Sequence, residues 1–135
     1  MPNALRTASP EGTWHSFRFI CTESGGMLGQ RSAYKAGLSW LYMVQNTVGM
    51  LIEDVANGEE GVLIYQAEKI MVAKKHTSVD VFLPGDTVYW DPTDGLVTPI
   101  YDTGLYRIGV ATEPALGADY LVEIDLDGGP AVAGV

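Results

Sequence analysis

Hydrophobic and polar positions alternate along most of this chain, and turn-forming glycine, proline, asparagine and aspartate interrupt the alternation at short intervals. In residues 14–22, Phe17, Phe19 and Cys21 fall on one face and Ser16, Arg18 and Thr22 on the other, broken only by Ile20, which predicts a strand. Residues 38–44 and 48–55 are aromatic and β-branched runs split by Gln45-Asn46, and Ala56-Asn57-Gly58-Glu59 then carries a hairpin signal. Together these segments predict a meander.

Residues 61–75 admit two readings. Leu63, Ala67, Ile70, Met71 and Lys74 would share one face of a helix, whereas Val62-Leu63-Ile64-Tyr65 and Ile70-Met71-Val72 suit two strands. The segment has no helix capping residues and sits among β signals, which favours strands. Strands are also predicted over residues 79–83, 86–91, 96–101, 105–113 and 120–126. Pro84-Gly85 forms a type II turn, because proline pre-sets φ at the first central position and glycine accepts positive φ at the second. In the strand that follows, Val88 and Trp90 point to the core and Thr87 and Tyr89 to solvent or a neighbour, until Asp91-Pro92 and Asp94-Gly95 turn the chain again. Turns at this spacing predict an all-β sandwich or barrel. Residues 23–35 read as a polar loop, and residues 128–135 lack periodicity and read as a flexible tail or an arm ordered by a partner.

With 135 residues the chain has the length of one domain, and its 47% hydrophobic and 19% charged residues are those of a globular protein. No apolar run approaches the roughly 20 residues of a membrane span, and residues 1–10 hold no signal-peptide core, so a soluble protein made in a cytoplasm is expected, with no membrane partner. The net charge of −9 is unevenly spread. Residues 1–37 carry a net of +2, residues 38–75 a net of −2, and residues 76–135 a net of −9, where Arg107 stands alone against ten acids. An acidic body disfavours sequence-independent nucleic-acid binding, while the mildly basic leading segment suits a neighbouring acidic subunit.

Candidate chemistry finds little support. The loop Gly25-Gly26-Met27-Leu28-Gly29-Gln30-Arg31-Ser32 has Ser24 and Gln30 where a phosphate-binding loop needs glycine and lysine. His15 and His76 are far apart in sequence and are the only histidines, no serine sits in a nucleophile elbow, and the single cysteine, Cys21, reads as a core residue. Glu123, Asp125 and Asp127 alternate on one strand face and could bridge a cation such as calcium, but a solvent-facing acidic ladder explains them without one. No enzyme, cofactor or metal site is expected.

A resemblance adds to this reading. Pro84-Gly85-Asp86-Thr87-Val88-Tyr89-Trp90-Asp91, then Arg107-Ile108-Gly109-Val110-Ala111-Thr112-Glu113, then Tyr120-Leu121-Val122-Glu123-Ile124 resemble the DUF2190 family of tailed-bacteriophage and prophage proteins, as do Val48-Gly49-Met50 and Asp54-Val55-Ala56-Asn57-Gly58-Glu59 upstream. The resemblance spans about residues 38–126. Glu68-Lys69 stand where the family usually has a glycine-containing bend, and Ala73 where it has a proline. The recombinase label that some members bear finds neither a phosphate-binding loop nor a basic surface here.

The resemblance implies a small β-barrel of the β-tulip kind, to which the residue pattern adds an extended N-terminal arm and a flexible C-terminal tail that the resemblance does not cover. Residues 1–37 would form an N-terminal strand and an arm or loop region, residues 38–127 the barrel and residues 128–135 the tail. It further implies a capsid decoration, or cement, protein that sits as a homotrimer on the outer surface of the expanded head, in contact with the major capsid protein and neighbouring cement trimers. A head-completion or tail-associated protein, and a nucleic-acid-handling accessory protein, are the alternatives. Candidate interface residues are Trp14, Phe17, Arg18, Phe19, Arg31, Tyr34, Lys35 and Tyr89.

Overall fold

Residues 60–73 resolve the ambiguity between helix and strands in an unexpected way, as a single long strand with a bulge. The computed structural model describes residues 15–27, 41–51, 53–129 and 132–133. Among these lie nine strands and no helix: β1 His15–Ile20, β2 Tyr42–Val44, β3 Thr47–Gly49, β4 Glu60–Ala73, β5 Thr87–Trp90, β6 Val97–Thr98, β7 Tyr106–Ala111, β8 Leu121–Asp127 and β9 Val132–Ala133. The main sheet has seven strands in the order β1-β4-β8-β7-β5-β6, with β9 also paired to β7, and every named pairing is antiparallel. β2 and β3 form a separate hairpin whose turn residues Gln45 and Asn46 both have positive φ, the backbone that a two-residue hairpin turn requires.

β4 organises the molecule. Its first half pairs with β1 and its second half with β8. Between Ala67 and Ile70 the register shifts, Glu68 and Lys69 are exposed, and Lys69 takes φ of 57° while its N–H donates to Asp125 Oδ1 at 3.0 Å. The bulge lets both Ala67 and Ile70 face the core. A carboxylate on the adjacent strand thus secures the bend at Glu68-Lys69.

Strand alternation divides the burial into two cores separated by β4. Ile64 belongs to the larger core with Val72, Phe82, Val88, Trp90, Ile108, Ile124 and Leu126. Leu63, on the opposite face, belongs to a smaller core with Phe19, Cys21, Met27, Leu51 and Val55. Val88 and Trp90 are buried as the alternation requires, and Thr87 and Tyr89 are half-buried. The Pro84-Gly85 turn also forms as expected, with Gly85 at φ of 93° and Asp86 N–H donating to Leu83 O at 3.0 Å.

Several expectations need correction. The closed barrel does not form, because β1 and β6 end the sheet; an isolated parallel bridge between Lys74 and Val97 is what links the end of β4 to β6. β6 is two residues long, cut short by the turn at Asp94-Gly95 and by Pro99, which has no N–H for a ladder. Residues 79–83 do not form a strand; Thr77 and Asp80 close a turn, and Phe82 makes a bridge to Ala115.

The segment expected to be a flexible tail contributes β9, in which Val132 and Ala133 pair with Arg107 and Tyr106. Gly128 brings it there: its N–H donates to Tyr65 O at 2.7 Å and its carbonyl accepts from Val48 N–H at 2.8 Å, and a Cβ at this position would lie 1.8 Å from Val48 O. Only glycine permits that approach. β1, within the strand expected over residues 14–22, pairs with β4 in the main sheet. Expectations about Trp14, Arg31, Tyr34 and Lys35 fall outside the described residues.

Candidate functional site

The least expected group in the sequence is Lys74, which immediately follows β4 and is 1% exposed. The core has no room for an unpaired ammonium, so its three N–H donors must be met. Nζ lies 2.7 Å from Lys75 O, 2.9 Å from Leu116 O, 3.1 Å from Asp119 O and 3.2 Å from Gly117 O. The lysine therefore gathers the 116–119 turn onto the end of β4, and its own N–H donates to Tyr120 O at 2.9 Å. Burial lowers its pKa, opposed by the nearby charges of Asp80 and Asp119.

Asp80 is the second buried charge. One carboxylate oxygen accepts from the Thr98 hydroxyl at 2.6 Å, and the other accepts from the hydroxyl and the N–H of Thr77. Burial alone would raise its pKa, but the bonds from Thr77 and Thr98 and the charge of Lys74 outweigh burial and hold it below the ordinary value. Thr98 Oγ1 in turn accepts from Ile100 N–H at 3.2 Å. Alternation alone would turn Val79, Val81 and Leu83 inward and Asp80 outward. The polar partners reverse this: Asp80 and Phe82 are buried, and the three aliphatic side chains are exposed.

These buried groups tie together the segments 76–83, 96–101 and 113–120, and those segments carry the exposed apolar surface. Nine large apolar side chains are exposed among the described residues, and seven of them lie here: Val79, Val81, Leu83, Ile100, Tyr101, Leu116 and Tyr120. Leu116 is the most open, at 68%. The His76 and Tyr120 rings sit 4.6 Å apart and those of Tyr89 and Tyr101 5.7 Å apart, which gives the face aromatic edges. Several acidic residues on or beside these segments are bonded locally, while Glu113 is exposed. Asp86 accepts from Leu83 N–H and Asp119 from Leu116 N–H, each at 2.8 Å, while Lys75 reaches Asp91 at 2.8 Å and Asp94 at 3.4 Å. The Asp91 bond raises the Lys75 pKa against burial, and the same bond lowers that of Asp91.

Of the interface residues expected from the sequence that are described, Tyr89 alone adjoins this face, through Tyr101. Arg18 is exposed at the far side of the sheet with Glu60 at 3.4 Å. Phe17 is half-buried and stacks on Tyr65 at 5.9 Å, and Phe19 is 6% exposed within the smaller core. Sequence reasoning missed Leu83, Leu116 and Tyr120. The local signal available was Thr77-Ser78-Val79-Asp80, in which a threonine and an aspartate three apart can close a turn and turn the acid inward.

Chemistry has little to work with among the described residues. His15 stacks on Tyr65 and His76 on Tyr120, Cys21 is buried, and no three His, Cys, Asp or Glu side chains converge as metal ligands would. The distinctive surface of this all-β domain is thus an apolar face braced from beneath by buried polar bonds. The chain belongs to the phage cement protein family, whose sequence profile matches residues 31–126. It is thus a structural protein of a bacteriophage head, associated with the capsid in the virion. Among solved structures it is similar to the N base of head fiber gp8.5 of bacteriophage phi29, with 16% identity and a TM-score of 0.42 over 85% of this chain and 95% of that one. No curated protein sequence matches.

Proposed function

We propose that this chain decorates the outer surface of the expanded head of a tailed phage as a homotrimer, contacting the major capsid protein and neighbouring trimers and stabilising the shell. The observation that carries this reading is the family match over residues 31–126. The acidic chain with an exposed apolar face is consistent with it, because a decoration protein needs contact surface and no reaction centre. The mechanism is linkage: a protein that binds the expanded lattice and not its precursor shifts the equilibrium towards the expanded state by its binding free energy. Many modest contacts suffice when the shell holds neighbouring copies together.

The test adds purified protein to expanded and unexpanded heads and images both. Extra density at repeated positions on expanded heads alone, with a copy number in the hundreds on a stained gel, is the expected result. A handful of copies confined to one vertex or to the tail would point to head completion or tail association instead.

A further inference from the structure

We propose that the apolar face built from segments 76–83, 96–101 and 113–120 is the contact between copies of this chain, and not the surface that meets the capsid shell. This rests on the reading of the chain as a self-associating head protein and identifies which surface associates. Area is the first argument. Val79, Leu83, Ile100, Tyr101, Leu116 and Tyr120 are all at least 46% exposed, and together they present on the order of 500 Å² of largely apolar surface, at the upper end for a lone subunit. A stable interface needs roughly 800 Å² per partner. The face therefore supplies most of one side of such a contact without help from the rest of the molecule.

Charge is the second argument. Identical chains of net charge −9 repel one another, so copies can meet closely only where exposed charge is sparse. Of the acids on and beside these segments, Asp86 and Asp119 cap backbone N–H groups, Asp80 is buried and Asp91 and Asp94 face Lys75, which leaves Glu113 as the exposed acid within them. A surface dominated by valine, leucine, isoleucine and tyrosine has the composition of an obligate subunit contact, which resembles a core cut in two; reversible docking onto a preassembled lattice uses a more polar surface. The bonds from Lys74 and Asp80 fix the loops beforehand, so little ordering cost attends association.

The experiment measures the mass of the full chain in solution by light scattering and native mass spectrometry, for the wild type and for Leu83→Asp, Leu116→Asp and Ile20→Asp. Ile20 is exposed on β1, at the opposite end of the sheet from β6, and serves as the control. Wild type and Ile20→Asp should be oligomeric at micromolar concentration. Leu83→Asp and Leu116→Asp should be monomers with unchanged circular dichroism, and their dissociation constants should rise at least a hundredfold. As a second measurement, Leu116→Cys should react with a maleimide at least tenfold more slowly in the oligomer than in diluted monomer, because the natural Cys21 is buried and adds no background.

The assignment is overturned if the Asp variants keep the wild-type mass, or if the thiol of the Leu116→Cys variant labels at the same rate in both states. An intact oligomer that no longer decorates heads would reassign the face to the capsid while leaving the decoration role standing. An intact oligomer of lowered melting temperature would assign the face to packing within the chain. A wild type that oligomerises through this face yet never binds heads would defeat the decoration role and leave this inference in place.

Discussion

Replacing Lys74 with methionine removes the ammonium that joins four backbone carbonyls on two segments, and keeps most of the side-chain volume. Removing one member of a buried polar constellation costs about 3–5 kcal/mol. Leu116 and Asp119 are exposed residues whose carbonyls can recover water once the turn loosens, so the low end, about 3 kcal/mol, applies. Asp80→Asn keeps a similar shape but loses the anionic acceptor that Thr77 and Thr98 share, at a cost of about 2 kcal/mol. The two charges sense each other, so the double variant should cost about 1–2 kcal/mol less than the sum of the single variants.

Equilibrium urea unfolding near pH 7, followed by circular dichroism on all four proteins at one concentration, reads these values. With a slope of about 1.5 kcal/mol per molar urea, Lys74→Met should move the midpoint down by about 2 M. Amide exchange at Lys74, whose N–H donates to Tyr120 O, should accelerate in the same variant. A loss below about 1 kcal/mol for Lys74→Met, or single-variant costs that simply add, would show that the lysine is not the brace described here.

Two other perturbations follow from local geometry. Asp80 and Asp91 both have folded pKa values below the ordinary 3.8, so the stability each contributes is complete above that value and is lost as pH falls through the lowered one. Asp91→Asn, which also releases Lys75, should cost about 1 kcal/mol at pH 7 and flatten the fall in stability below pH 3.8; an unchanged acid limb in urea titrations would contradict this. Gly128→Ala should cost about 1–3 kcal/mol or more, because its Cβ meets the Val48 backbone, whereas Gly25→Ala, with nothing within 4 Å, should be neutral or slightly stabilising in the same melts. Equal effects at the two glycines would mean that the β3–β8 contact is not as close as described.

Much of the fold was legible from local pattern because a strand that buries one face states that face in every second residue. Residues 15–20, 87–90 and 121–127 alternate as read, Gly85 turns the chain where its backbone freedom predicts, and Gln45-Asn46 break the two runs where the pattern splits them. The composition, the acidic charge and the family-like runs about Pro84 and Tyr120 also belong to the sequence, and they led to the phage cement protein family. Residues distant in sequence decided the rest. Asp80 turns inward because Thr98 meets it, which throws Val79, Val81 and Leu83 outward against their alternation. Lys74 is buried because the 116–119 turn supplies its acceptors, and β4 continues through Glu68-Lys69 because Asp125 receives the Lys69 N–H. The sheet stays open because β6 is too short to form a ladder with β4, and residues 132–133 form a strand because Gly128 guides them to β7. Alternation in a sequence records that two faces differ, but only the partners that arrive across the fold decide which of them is covered.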